Sequence, residues 1–571
     1  MENAQIADIF EEISDLLELK DANEFRIRSY QNAARSIRDM SQRLADLAEE
    51  GEDLSELPNI GEKTAEKIHE ILEKGTCRRL EDLRDELPQA LTEVMKVPGV
   101  GPRKAMKIHR ELDVDDLDDL RQACRDGKVR TLEGFGEKTE EKILDGIKTL
   151  ETTAGRVSLK EAGDHVRSLS EWLDGVDEVD RYEVAGSFRR RKETVGDLDI
   201  LIQASDRKAA GEAIVEFEGI SNVDSHGAEK ITVHLTGGLQ VDFRFFEPRN
   251  FGAALMYFTG SKAHNIHLRK IAVDRGWKLN EYGLFKDDDL LAGKDEEAMY
   301  HRLNLAWVPP EMREDRGEVD AAAEDRLPEL IEHDEVRGDL QCHTTASDGN
   351  NSIEEMARSA KDFGFSYLAI TDHSKRVTMA RGLDNDKCRK HAEEIRKMDG
   401  KLDRFWLLAG VEVDILKSGK LDLDEDVLAE LDWVIASIHY DRNLSEEKMT
   451  ERYLSAIRSG VVHAIAHPLG RIVGKREAMA IHFEKVAEAC AEHDVLLEIN
   501  AQPDRLDLPD TYVQQAREMG CSFSFGTDAH KTDAFDFLRY ATDVARRGWL
   551  EAGDVVNTLT IPRLRRRLRR K

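Results

Sequence analysis

The polar and apolar positions of this chain change period along its length. The opening run, MENAQIADIFEEISDLLEL, is acidic and amphipathic and predicts a helix. Three segments in the first 150 residues resemble one another: LPNIGEKTAEKI (57–68), VPGVGPRKAMKI (97–108) and LEGFGEKTEEKI (132–143). Each has an apolar residue, a tight glycine turn and a helix that opens with lysine or arginine. The likeness is confined to about a dozen residues per copy, so it predicts a local device used three times rather than a solenoid. After about residue 150 strand-like runs appear: YEVAG (182–186), DLDILI (197–202), ITVHL (231–235) and LQVDFRFF (239–246). From 311 to 335, EMREDRGEVDAAAEDRLPELIEHDE has little apolar periodicity and predicts an acidic linker. Beyond 336, YLAIT, WVIASI, VLLEIN and SFSFGT alternate with helical stretches, a βα rhythm that predicts parallel strands wrapped by helices. The tail, PRLRRRLRRK, is basic and suits either nucleic acid or a solvated helix end.

Composition changes this picture in two respects. With 571 residues the chain allows three or more domains, because single cores rarely grow past ~250–300 residues. Its six cysteines (Cys77, Cys124, Cys342, Cys388, Cys490, Cys521) form no CxxC pair, which predicts reduced thiols rather than a disulfide framework. With no signal peptide or membrane span visible, a cytoplasmic protein is expected. The net charge of −31 argues at first against nucleic acid as a partner. The basic residues are 33 lysines against 51 arginines, a lysine-poor mix. Together these predict a salt-tolerant surface and an organism with high internal salt. At such salt, phosphate attraction is screened and counterion release gains little. Contacts to DNA would then come from backbone amides and local arginine clusters. The glycine turns fit this, since a helix N-terminus offers free N–H groups to a phosphate without net positive charge. The competing reading is three helix-packing turns.

The first candidate chemistry lies in GSFRRRKETVGDLDILI (186–202). Asp197 and Asp199 are two apart on a predicted strand, so both carboxylates leave one face. Asp242 lies on another strand. Three such carboxylates suit two Mg²⁺ ions that bridge substrate phosphates. An acid-x-acid pair arises by chance roughly twenty times in so acidic a chain, so the pair alone carries little. The context adds Gly186 and Ser187, which follow a strand and present amides and a hydroxyl, and Arg190, which adds a charged fork.

This stretch resembles the nucleotidyltransferase signature of family X DNA polymerases, the family of polymerase beta. The resemblance continues in YFTGSKAHNIHLRKIAVDRGWKLNEYGLF (257–285) and upstream through glycine turns like those of helix-hairpin-helix repair proteins; it covers roughly residues 1–312. It implies that Asp197, Asp199 and Asp242 hold Mg²⁺ or Mn²⁺ and that Asp242 helps activate the primer 3′-OH. Gly186, Ser187 and Arg190 would bind the dNTP triphosphate. Tyr257, Phe258 and Gly260 would line the sugar pocket, Asn265 would touch the base or minor groove, and Arg269 the template side. Lys262 stands where polymerase beta has an aspartate, a departure that puts that base contact in doubt. In the hairpins, Gly61, Lys63, Gly99, Gly101, Gly134 and Gly136 would hold DNA. Lys67 falls at the family's lyase nucleophile, which forms a Schiff base with an abasic sugar; a lysine that only binds DNA is the other reading.

The second constellation recurs at predicted strand ends: His343, Asp348, His373, Glu412, His439, His467, Asp528 and His530. Catalytic residues of barrels collect at that face, and imidazole mixed with carboxylate suits Zn²⁺ or Mn²⁺. The set resembles the polymerase and histidinol phosphatase (PHP) domain, a metal-dependent phosphoesterase, over roughly 336–571. Gln341 occupies the first place of that family's His-x-His pair. An amide oxygen is a weaker ligand, acceptable to Mn²⁺, and the remaining ligands suffice for two or three ions. His463 matches no ligand position, and Arg471 in HPLGR could hold a scissile phosphate or sit in a salt bridge.

The resemblance implies a multidomain chain. A lyase-like helical domain (1–80) precedes a fingers-like helix-hairpin-helix subdomain (81–150), a nucleotidyltransferase palm (151–246) and a thumb (247–312). An acidic linker (313–335) then leads to a PHP domain (336–571) folded as a distorted (β/α)7 barrel. The expected function is gap filling on gapped or nicked DNA with dNTPs, joined to 3′–5′ exonuclease or 3′-end processing, by a monomer that does not engage membranes. The rival readings are a polymerase with a purely structural PHP domain, a non-catalytic DNA-end binding module and a small-molecule phosphatase.

Overall fold

The three glycine turns fold alike, bond for bond. Ile60, Val100 and Phe135 donate their N–H groups to Leu57, Val97 and Leu132, three residues back, at 2.9–3.0 Å. Each is followed by a glycine, Gly61, Gly101 or Gly136, whose carbonyl accepts the first helical hydrogen bonds. The helices that follow are Glu62–Lys74, Pro102–Leu112 and Glu137–Thr153. This computed structural model describes residues 3–568 apart from 21, 39–43, 50–52, 58–59, 87–90, 96, 98–99 and 154–155. The chain divides into two units, Met1–Ala154 and Gly155–Lys571. Within the first, Phe10, Ile13, Ile68, Leu83, Val100, Ile108, Leu120 and Ile143 belong to one apolar core. The segments expected as separate domains, 1–80 and 81–150, therefore share their interior.

The second unit begins with a five-stranded sheet: β1 (Val179–Val184), β2 (Asp197–Ala204), β3 (Ile220–His226), β4 (Lys230–Leu235) and β5 (Gln240–Phe245). Its order is β1-β2-β5-β4-β3. Strands β2 and β5 run parallel with Asp199 opposite Asp242, so the alternation of the pleat brings their carboxylates to one face. Helices Phe251–Thr259, Lys262–Asp274 and Glu296–Arg302 and a small antiparallel sheet make the thumb.

Seven parallel strands follow: β6 (Gly338–Cys342), β7 (Tyr367–Ile370), β8 (Trp406–Asp414), β9 (Trp433–Ser437), β10 (Ala464–Ile465), β11 (Leu496–Asn500) and β12 (Phe523–Gly526). They pair in chain order, with helices between most of them, as a nearly closed (β/α)7 barrel. All 34 of their positions are buried on both faces, which is why the strands read as continuous apolar runs. Asn557 spans the seam between β6 and β12: its amide donates to the Gly338 and Phe525 carbonyls and accepts from Phe525 N–H. Below the barrel, helix Ile561–Leu568 buries Leu564, stacks Arg565 on Trp406 and pairs Arg567 with Asp494. The described part of the basic tail is thus a packed helix.

The expected linker is a correction. Residues 313–335 are folded and packed, with Val319, Ala321, Ala322, Leu330 and Ile331 buried. Arg313 is wholly buried, donates to Glu296 at 2.6 Å and to the Val308 carbonyl, and stacks over Tyr300 and Trp307. Glu318, also wholly buried, bonds His264 at 2.6 Å and accepts from the Asp315 and Arg316 N–H groups. Two of the segment's charges, Arg313 and Glu318, are held inside the fold while most of the others are exposed, so it lacks apolar period yet is packed.

Candidate active sites

Asp197, Asp199 and Asp242 converge as the strand register requires. Asp242 is buried and accepts from Thr232 Oγ1 at 2.8 Å, while Asp197 is exposed. Arg244, two residues past Asp242 and so on the same face, spans the pair: 3.2 Å to Asp199 and 2.7 Å to Asp242. Lys230 adds a second cation at 2.8 Å from Asp242. Burial, with Asp197 and Asp242 beside it, raises Asp199 to about 6 against the pull of Arg244. An all-oxygen donor set whose charge needs two cationic side chains to offset it fits hard divalent ions.

Gly186 and Ser187 form a single helical turn, Gly186–Arg189, after β1. Gly186 has φ +66°, and a Cβ there would press on the Asp199 carboxylate, so glycine is required. Arg190 is placed differently from the expected phosphate fork. It donates to the Thr259 carbonyl at 2.5 Å and to Glu314 at 3.1 Å, tying the turn to the thumb. Phe258 lies under the Arg244 guanidinium, 4.5 Å from ring centre to Cζ, and edge-on to Tyr257. Helix Phe251–Thr259 ends at Gly260, with φ +71°. Asn265 is held by its amide on the Tyr257 carbonyl. Lys262, Ile266, Arg269 and Lys270 are exposed and fall on one stripe of their helix.

In the barrel all eight expected ligands meet at the C-terminal ends of the strands. Three sets of donors lie close together: His343, Asp348, His373 and His530; His373, Glu412 and His439; His343, Glu412 and Asp528. Glu412 is shared, and His467 reaches it at 3.0 Å. Burial alone would lower His373 and His530; Glu412, Asp348 and Asp528 outweigh it for His373, and Asp348 and Asp528 for His530, and hold both at about 9. Against burial, His373 and His439 keep Glu412, and His343 and His530 keep Asp528, well below the usual carboxylate range. Nδ1 of His343 and of His467 is buried without a hydrogen-bond partner among the described residues. Orphaned imidazole nitrogens beside ionised carboxylates fit borderline cations such as Zn²⁺ or Mn²⁺.

Comparison with known proteins matches this geometry region by region. A helix-hairpin-helix domain matches residues 1–77 and a SAM-like helix-hairpin-helix tandem 91–149. The DNA polymerase beta palm matches 156–236, the DNA polymerase beta thumb 254–314, and the PHP domain 339–502. The DNA polymerase/3′-5′ exonuclease PolX of Bacillus subtilis is 36% identical over 565 residues, covering 98% of each chain. The chain belongs to the PolX family. Shorter relatives match a little over a third of the chain. A probable phosphatase of Thermoanaerobacter sp. is 30% identical over 234 residues, 38% of this chain and 90% of that one. Another, from Photobacterium profundum, is 30% identical over 202 residues, 34% of this chain and 77% of that one.

Within this PolX-family chain the glutamine is placed clearly. Gln341 is wholly buried, and its amide, oriented to donate, bonds the Glu498 carboxylate. That contact engages the amide expected to be a weak metal ligand. Burial, then Asp528, hold Glu498 well above the usual carboxylate range. His463 caps a strand as an ordinary residue, accepting from Val434 N–H and stacking on Trp433. Arg471 donates to Glu193 at 2.6 Å and to the Leu506 carbonyl. In the first unit, Gly61, Lys63, Gly101, Gly134 and Gly136 are exposed, and a Cβ at any of the four glycines would meet nothing within 4 Å. Gly99 lies outside the described residues. Lys67 donates to the Lys63 carbonyl at 2.6 Å and lies 5.8 Å from the Tyr30 ring centre. Sequence reasoning missed Arg244, Lys230 and Glu498; Arg244 alone had a signal, the two-residue period of β5.

Proposed function

We propose that this PolX-family chain is a DNA polymerase that fills short gaps in DNA repair and carries a metal-dependent 3′–5′ exonuclease in its PHP barrel. The observation that carries the reading is two donor sets of different chemistry in one folded unit: three carboxylates across β2 and β5, and imidazoles with carboxylates at the barrel mouth. Asp197, Asp199 and Asp242 hold Mg²⁺ or Mn²⁺. The eight barrel ligands hold two or three ions of Mn²⁺ or Zn²⁺. When bound, these cations supply Lewis acidity and neutralise charge on the reacting phosphates.

The chain's own groups do the rest. Asp242, buried beside Thr232, takes the proton of the primer 3′-OH. Ser187 and the turn amides grip the triphosphate; Tyr257 and Phe258 pack under the sugar and bar a ribose. Arg269 and its helix stripe face the template. The exposed glycine turns accept DNA phosphates through backbone N–H groups, which an acidic, salt-screened protein needs. Lys67 is the candidate lyase nucleophile, once it leaves the Lys63 carbonyl. Six free, buried cysteines support a reducing, cytoplasmic setting. A 5′-labelled primer facing a short gap, with Mn²⁺ in high KCl, tests the reading. Extension with dNTPs and shortening without them is expected; extension alone would make the barrel a scaffold.

A further inference from the structure

Arg471 serves neither metal centre, and it leads to a cavity of about 200 Å³ at the seam between palm and barrel. The palm side is Arg191, Lys192 and Glu193, the residues that leave the Gly186–Arg190 turn. The barrel side includes Arg471, Asp510 and Arg547. Four cations face two carboxylates, and both carboxylates are already engaged. Glu193 takes Arg471 Nη2 at 2.6 Å; Asp510 takes Arg547 at 2.5 Å and Arg316 at 2.6 Å.

Arg191 pairs with Asp543 and Arg547 also with Glu314, so the cation left over is Lys192. Lys192 Nζ has no hydrogen bond or ion pair among the described residues, and burial, then Arg547, push its pKa down. Arg471 Nε is buried without a partner, although Nη2 also donates to the Leu506 carbonyl. Both residues line the same cavity, and a half-buried ammonium with an unused guanidinium N–H there would gain from an anion. At ~30 Å³ per water, the space holds several waters, or one phosphate group with room to spare.

We propose that this cavity is a phosphoryl-anion site, in which Lys192 supplies the unpaired charge and Arg471 the unused donor. Inorganic phosphate, pyrophosphate and a nucleoside monophosphate share the group that would fit; a doubly charged tetrahedral anion suits this lysine–arginine pair. The occupant sits against the segment after Ser187 and the segment after His467, so it touches elements of both halves.

The test uses the full-length protein in EDTA at fixed KCl, so that neither metal centre holds phosphate. Calorimetric titrations with orthophosphate, pyrophosphate and dAMP are compared, and the tightest names the source. One saturable site is expected for at least one of them. Lys192→Gln should weaken it about tenfold or more. Lys192→Arg should restore it, and Ser187→Ala in the polymerase turn should bind as the parent does; thermal melts confirm that each variant folds. Absence of saturable binding, unchanged affinity in Lys192→Gln, or loss confined to Ser187→Ala would overturn the proposal.

Discussion

Glu412 has four imidazoles within 3.0–3.5 Å, His343, His373, His439 and His467, and such contacts set how the barrel answers pH. His373 and His530 are raised from 6.5 to about 9, so without metal their stabilisation is full below pH 6.5 and is lost as pH rises through 9. In EDTA the melting temperature should fall between those values. Mn²⁺ should raise it more at pH 9 than at pH 6.5, because ligating imidazoles must be neutral. Melting curves that rise with pH in EDTA would contradict this. At the same scale, Gln341→Ala should leave the bound-metal stoichiometry unchanged, as measured by elemental analysis, while His343→Ala loses metal. It should also cost about 1–3 kcal/mol, because Glu498 is left without its amide partner. The cluster at the barrel mouth was legible because histidine and carboxylate at successive strand ends are a distinctive chemical pattern. The partner of Gln341 was not, since Glu498 sits on a distant strand inside an apolar run and gave no local signal.

At the scale of elements, legibility followed periodicity. The glycine turns repeat in sequence and repeat in hydrogen bonding, and β2 with β5 kept the two-residue alternation that aims their aspartates. Residues 313–335 failed the same reasoning because Arg313 and Glu318 are buried, which hides the apolar face that Val319 and Ala322 supply. The partner of Glu318 is His264, whose pKa burial lowers, so what its removal costs is buried hydrogen bonds rather than an ion pair. Glu318→Ala should therefore destabilise the second unit by about 1–3 kcal/mol in urea unfolding. A change under about 0.5 kcal/mol, typical of a surface site, would restore the linker reading. Arg190 shows the same limit: its motif names a phosphate ligand, but Glu314, which holds it here, lies far along the chain.

For the whole molecule, the net charge of −31 makes self-repulsion a term that salt relieves. Stability to heat should rise from low to molar KCl; a flat curve would remove the salt-adapted reading. The division between palm and barrel was legible, but their common interior was not, because a core shared by distant segments leaves no mark in either one. Leu198 and Phe243 of the palm join Leu368 and Val411 of the barrel in one apolar cluster. Two chemistries in one folded unit should still separate by mutation. The most direct measurement is extension and shortening of a 5′-labelled gapped primer by Asp199→Asn and His373→Ala proteins, with Mn²⁺, with and without dNTPs. Each loss should exceed the roughly 10–100-fold cost of removing an outer-shell partner of a metal ligand. Asp199→Asn should lose extension and keep shortening, and His373→Ala should do the reverse. Loss of both activities in either variant, or of neither, would contradict two independent active sites.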